Sequence, residues 1–293
     1  MSNDCRTRNL FGLLAAAALS SGAPNLTATD LSDWKANTIS PVTNPLFFES
    51  PQIDSEVRPL FIWHNLDKQL GTSGGDVEVY AVQLRYAVTD RLAIIATKDG
   101  YIDFNPKTGL PHQSGWADIA AGLKYALIDD TQHNFILTPG VKFEIPIGNT
   151  SVFQGSGSGE WDAFVSAAKG WGNFHATASI GFRLPNDWDK KTAQAHYSGQ
   201  LDYYLCQYFI PFVSANAFTV LSNGKGLPLN FEGFDLINFG ASKASGQTMT
   251  AIGGGVRSRL IEKLDLGVGY EVGVGNPKGL FDDRFTVDLI YRF

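Results

Sequence analysis

The stretch RFTVDLIYRF, residues 284–293, decides how the chain is read. Phe285, Val287, Leu289, Tyr291 and Phe293 fall on one parity, and Arg284, Thr286, Asp288 and Arg292 on the other. Only Ile290 interrupts the polar set. A two-residue period with one large apolar face describes a strand that lies against something greasy, either a protein core or a lipid bilayer.

The same alternation recurs upstream. In LDLGVGYEVGVG (264–275), Leu264, Leu266, Val268, Tyr270, Val272 and Val274 oppose Asp265, Glu271 and four glycines. In 174–184, Phe174, Ala176, Ala178, Ile180, Phe182 and Leu184 oppose His175, Thr177, Ser179, Gly181 and Arg183. In 135–147, Phe135, Leu137, Val141, Phe143, Ile145 and Ile147 oppose Thr138, Lys142 and Glu144. Ionisable residues at strand centres are incompatible with a dry sandwich core unless heavily paired. They suit the wet or ion-paired lumen of a barrel whose apolar face meets lipid.

Strands are expected near 56–64, 77–88, 91–104, 116–128, 134–147, 161–171, 174–185, 194–206, 208–221, 248–260, 264–275 and 284–293. The connectors alternate. Those at 65–76, 105–115, 148–160, 186–193, 222–247 and 276–283 are long, and those at 89–90, 129–133, 172–173, 207 and 261–263 are short. This rhythm predicts an all-β, antiparallel up-and-down transmembrane barrel of about 12 strands, with short periplasmic turns and long extracellular loops. Trp63, Tyr86, Trp116, Tyr125, Trp161, Trp171, Tyr203 and Tyr291 sit near strand ends, where aromatic girdles form. Lys98 falls on the apolar parity of its strand, which predicts a bulge. Segment 208–221 is apolar on both parities, so its facing stays open.

Composition excludes other classes. The 293 residues are 44% hydrophobic and 18% charged with a net charge of −6, and no basic run marks a nucleic-acid partner. Cys5 and Cys206 are too few for a disulfide framework and lack metal-ligand spacing, and Cys206 reads as a strand residue. Arg6 and Arg8 precede the apolar run 10–19 and a small-residue stretch, the layout of a secretory signal over 1–28 with cleavage after Ala28. Residues 29–55 then form a periplasmic lead or a segment entering the lumen, ahead of a barrel over 56–293. Export implies a Gram-negative outer membrane, with its lipid as the surroundings.

Three stretches carry a resemblance: RYAVTDRLAIIATKDGY (85–101), SGWADIAAGLKYALIDD (114–130) and FILTPGVKFEIPIGN (135–149). In this order they resemble the outer-membrane β-barrel family named for the meta-cleavage pathway of phenol degradation. The resemblance covers about a third of the chain and implies a transporter-like barrel that passes small, hydrophobic or aromatic solutes. No family substrate-contact residue maps onto this sequence. Tyr291 and Phe293 are similar to the aromatic signal by which the barrel-assembly machinery selects its clients.

On the inferred inner face lie Arg58, Arg85, Asp118, Lys124, Lys142, Glu144, His175, Arg183, His196, Asp202, Arg257, Arg259, Asp265, Glu271, Asp288 and Arg292. Such charges act either as a selectivity lining or as a mutually neutralised packing that shuts a narrow barrel. Arg259 is expected opposite Asp265, and Asp118 near Glu144. Phe231, Phe234 and Phe239 in the connector 222–247 either line an apolar entry or belong to strands extended beyond the membrane. Lipid hydrolysis is the rival class, with His196, Ser198 and Asp202 on one face, but no nucleophile–His–acid set is evident. No catalytic residue, cofactor or metal site is therefore expected. The leading expectation is a passive channel for a small solute, and a plugged structural or surface-interaction barrel is the alternative.

Overall fold

A computed structural model describes residues 34–293, so the signal-segment reading of residues 1–28 lies outside the described residues. After a single helical turn, α1 (Trp34–Asn37), the chain forms fifteen strands in one closed sheet. They are β1 (Glu56–Leu66), β2 (Gly75–Ala87), β3 (Leu92–Lys98), β4 (Tyr101–Pro106), β5 (Gln113–Trp116), β6 (Ile119–Tyr125), β7 (Ile128–Asp130) and β8 (Phe135–Ile145). The others are β9 (Glu160–Trp171), β10 (Phe174–Pro185), β11 (Ala193–Tyr203), β12 (Ile210–Ser222), β13 (Thr248–Ile261), β14 (Leu264–Val274) and β15 (Phe281–Arg292).

β3 and β4 are two halves of one stave, as are β5 and β6 with their short extension β7, so the barrel has twelve antiparallel staves. It closes where β1 pairs with β15 on one side and β2 on the other, as in Phe61 opposite both Val287 and Tyr80. Closure satisfies the edge hydrogen bonds that an open sheet would leave unpaired in a bilayer.

The segment that opened the sequence reading keeps its two faces. Arg284, Thr286, Asp288 and Ile290 point inward and are buried, while Phe285, Leu289, Tyr291 and Phe293 are exposed on the outside. Tyr86, Trp116, Tyr125, Trp161, Trp171 and Tyr203 are likewise exposed outward. Ile290, the apolar member of the inward set, is fully buried with Arg284, Thr286 and Asp288.

Lys98 marks a real irregularity. The β3–β6 register shifts between Ala96 and Lys98, both Thr97 and Lys98 are buried, and the stave breaks at Asp99–Gly100. There the Asp99 carboxylate accepts the Val82 amide at 2.9 Å, in place of a main-chain ladder bond. The companion stave breaks beside it, at Ala117–Asp118, which periodicity did not indicate.

β12 resolves the ambiguous segment. Ile210, Phe212, Ser214, Asn216, Phe218 and Val220 face inward, because part of the interior they meet is itself apolar. The strand expected over 194–206 stops at Tyr203, and Cys206 lies in the following turn, bridged to Phe209.

Inner-face glycines make room for what fills the barrel. A Cβ on Gly269 would come within 3.1 Å of Val42, and one on Gly181 within 2.3 Å of the His196 ring.

Candidate functional site

The lumen is filled from both ends. From the short-turn end, residues 38–52 rise inside the barrel and return, and every residue from Thr38 to Pro51 is buried. This plug has no regular strand or helix: PVTNPLFFES carries two prolines and no period. Its polar groups are instead met by wall side chains. Arg58 donates to the Pro41 carbonyl at 2.7 Å, Gln83 to Pro45 at 2.8 Å, Lys142 to Leu46 at 2.8 Å and Thr138 to Pro51 at 2.6 Å. Asn44 donates to Ser198 at 2.9 Å, and Thr43 to Ser214 at 2.9 Å.

Glu49 is the plug's charged anchor. Its carboxylate accepts Arg85 Nε at 2.8 Å, Arg85 Nη2 at 2.7 Å and Lys124 Nζ at 2.8 Å. Burial alone would raise this carboxyl, but the Arg85 and Lys124 cations outweigh it and hold it well below the ordinary carboxylate range.

The remaining inner-face charges are paired with one another or with charges of the long connectors. Asp288 joins Arg58 and Arg257, with Arg58 Nε at 2.9 Å and Arg257 Nη1 at 2.8 Å. Arg284 bridges Glu271 at 2.5 Å and Asp235 at 2.7 Å. Lys142 pairs with Asp162 at 3.0 Å, Arg183 Nε with Glu160 at 2.9 Å, and Lys98 and Lys191 both meet Glu144 at 2.9 Å. Asp118, expected near Glu144, shares Lys191 with it at 3.8 Å and also accepts the Gly148 and Gly155 amides. Arg259 reaches Asp265 only at 3.9 Å, whereas Arg292 meets it at 2.9 Å. Arg259 and Arg292 are the partly exposed members of the expected set, at the short-turn mouth.

The histidines are held by acids. His175 Nδ1 lies 2.8 Å from Asp202, and His196 Nε2 lies 2.8 Å from Asp162. The His196–Ser198–Asp202 row does not assemble, because Ser198 is engaged by Asn44 and Asp202 by His175. Among the described residues no group of three or more His, Cys, Asp or Glu side chains could hold a metal.

From the other end, the connector 223–247 folds into the mouth. Phe231, Phe234 and Phe239 are packed rather than arrayed around an opening. Phe234 packs between Phe218, tilted at 4.7 Å, and Phe281, edge-on at 5.2 Å, while Phe239 meets Phe153 at 5.3 Å. Glu232, buried in this loop, accepts the Phe239 amide at 2.6 Å and the Ala241 amide at 2.7 Å. Burial pushes its carboxyl up to about 7.

Loop and plug meet in one apolar cluster, where Leu46 and Phe47 join Phe218, Phe231, Phe234 and Phe281. Beside Phe47 a void of about 10 Å³ remains between plug and wall. On the outer surface, where the two staves break, a dent of about 660 Å³ is framed by Tyr80, Val82, Trp116, Ile119 and Ile147. Its floor is Leu60, Ala81 and Ala117, whose inner sides belong to the same apolar cluster. The wall there carries the small residues Ala81, Gly100 and Ala117.

Periodicity found the wall charges but missed their partners off the wall, Glu49 and Asp235, and also missed Lys98, Glu160, Asp162 and Lys191. Glu160 and Asp162 open a strand whose inward parity was available as a signal. Glu49 and Asp235 lie in segments with no period at all.

No protein-family profile and no curated protein matches the chain. Many solved structures match the chain, and two of them illustrate the shared fold. The NanC porin is 8% identical, with a TM-score of 0.53 over 82% of this chain and 100% of that one. An outer-membrane channel from Pseudomonas putida F1 is 15% identical, with a TM-score of 0.53 over 87% of this chain and 100% of that one. The architecture is that of porin-like outer-membrane barrels.

Proposed function

We propose that the protein is an outer-membrane channel for passive uptake of small hydrophobic or aromatic molecules, held shut by residues 38–52 and gated by their displacement. The observation that carries this reading is the manner of fastening. The plug is attached through side chains reaching its carbonyls and through Glu49, while the sheet closes on itself without it. Such a segment can leave without opening the sheet, and the charged wall it exposes can be hydrated.

The apolar dent supports a hydrophobic solute, since it joins the bilayer side to the apolar cluster between plug and loop. The motif resemblance points to the same class. Tyr291 and Phe293, on the outer face of the closing strand, suit recognition by the barrel-assembly machinery. A second reading, a permanently plugged structural or surface-interaction barrel, is favoured by the filled lumen.

Liposome swelling separates the two. The refolded chain and a variant lacking residues 34–52 are compared with small neutral solutes, one aliphatic and one aromatic. The channel reading expects permeation to rise strongly on deletion. A deleted barrel that folds but passes nothing establishes the structural reading instead.

A further inference from the structure

Buried Phe164, Phe234 and Phe281 each lie near one cation, whereas the ring at the plug's tip meets two. Phe47 lies under two cations, with Lys142 Nζ 4.8 Å and Arg183 Cζ 4.5 Å from its centroid. The His196 ring lies 5.1 Å away and Phe218 meets it edge-on at 5.5 Å. Desolvated cations over a ring face recognise the negative quadrupole of an aromatic, which a saturated ring of equal size lacks.

All four wall residues belong to the barrel, whereas the ring belongs to the removable segment. Each cation is also held by an acid of the wall, Lys142 by Asp162 and Arg183 by Glu160, so the cage persists when the ring leaves. Lys142 has a second task, donating at 2.8 Å to the carbonyl of Leu46 next to the ring. One ammonium thus addresses an aromatic face and an oxygen together. Two further observations mark the place as receptive. The small void lies against Phe47 and Lys142, and within it Thr97 Oγ1 has no hydrogen-bond partner among the described residues. His196 Nδ1, in a fully buried ring, has none either.

We propose that the cage of Lys142, Arg183, His196 and Phe218 is a binding site for a single-ring aromatic bearing a nearby oxygen, and that Phe47 with the Leu46 carbonyl occupies it as a built-in competitor. The inference deepens the channel reading and rests on it for its physiological meaning. A solute of this class then takes over the contacts that hold the plug tip, and binding and opening become one equilibrium.

The test measures binding, which needs no permeation. Benzyl alcohol and cyclohexylmethanol share size and hydroxyl but differ in aromaticity. Each is titrated calorimetrically into refolded full-length protein in micelles, with empty micelles subtracted, for the natural chain and for Phe47→Ala. Phe47→Ala is expected to bind benzyl alcohol about tenfold more tightly than the natural chain does, and about tenfold more tightly than it binds cyclohexylmethanol. Adding Phe218→Leu, which keeps an apolar side chain, is expected to reduce that preference. Equal affinity of Phe47→Ala for the two alcohols, or no binding of either, overturns the proposal. Swelling of liposomes carrying the plug-deleted chain is read separately: absence of permeation removes the channel reading, whatever the calorimetry gives.

Discussion

Glu49→Gln tests the gating argument most directly. The substitution keeps side-chain shape and one acceptor oxygen while deleting the charge that Arg85 and Lys124 share. Arg85 retains Glu56 at 3.2 Å, but Lys124 is left with the Ser50 carbonyl at 2.8 Å and no carboxylate. Removing one partner of a buried ion pair costs about 3–5 kcal/mol, and the remaining amide acceptor places this case near the lower end. The cost falls on the plugged state alone, because an unplugged lumen hydrates both cations. At about 1.4 kcal/mol per tenfold, a loss of about 3 kcal/mol lowers the closed-to-open ratio by about 100-fold. Planar-bilayer recordings should show open probability rising accordingly, with Glu49→Asp intermediate, while heat-modifiable gel mobility reports an intact barrel. The pH dependence has a definite sign. Glu49 is depressed when folded, so its contribution is present above its ordinary value of 4.5 and fades as pH falls below that value. An open probability for Glu49→Gln within threefold of the natural chain, in a folded barrel, refutes the reasoning.

Glu232 has the opposite sign: raised from 4.5 to about 7 by burial, it favours the docked loop when neutral, so docking weakens as pH rises between those values. Amide exchange over 227–245, corrected for intrinsic rate, should increase from pH 5 to pH 8, and Glu232→Gln should abolish the difference. Asp288→Asn deprives Arg58 and Arg257 of their common carboxylate and should lower barrel stability by about 3–5 kcal/mol, read as a reduced urea midpoint. Val82→Trp fills the outer dent without touching the lumen. It should slow uptake of apolar solutes while leaving the ionic conductance of the plug-deleted barrel unchanged.

The barrel was legible because its information is local. Period two assigns each residue of RFTVDLIYRF a face, and a tight turn sets the register of its neighbours, so Arg259 opposite Asp265 follows from 261–263 alone. Lys98 on the wrong parity announced its bulge for the same reason. Local rules stop at the ladder. Arg85 meets Glu49 across 36 positions and Arg183 meets the Phe234 carbonyl across 51, and no turn or period couples such segments. The plug was invisible as a plug because its burial comes from the wall around it and not from its own pattern. The double apolar parity of 208–221 was its imprint: Ile210, Phe212 and Phe218 face inward because Ile39, Val42 and Phe47 are there to meet them. Inner-face glycines such as Gly269, against Val42 of the plug, serve the same fit.

The composition of the interior itself bears on whether the barrel opens. A lumen meant to stay shut could be filled with apolar side chains, since replacing buried ion pairs by well-packed hydrophobics is often neutral or stabilising. This interior does so in part, along a column from Phe47 through Phe218 and Phe234 to Phe281 and in smaller clusters such as Ile39 and Val42 with Ile210 and Phe212. Around these the wall retains Arg58, Arg85, Lys124, Arg183, Arg257 and Arg284, each matched to a carboxylate. Wall-to-wall pairs such as Arg257 with Asp288 and Arg183 with Glu160 survive removal of the plug, so an emptied lumen presents neutralised, wettable surface rather than bare hydrocarbon. The charges that lose a partner are Arg85 and Lys124, opposite Glu49. Wall pairing therefore lets the sheet tolerate both states, and the single plug-borne carboxylate sets the balance between them.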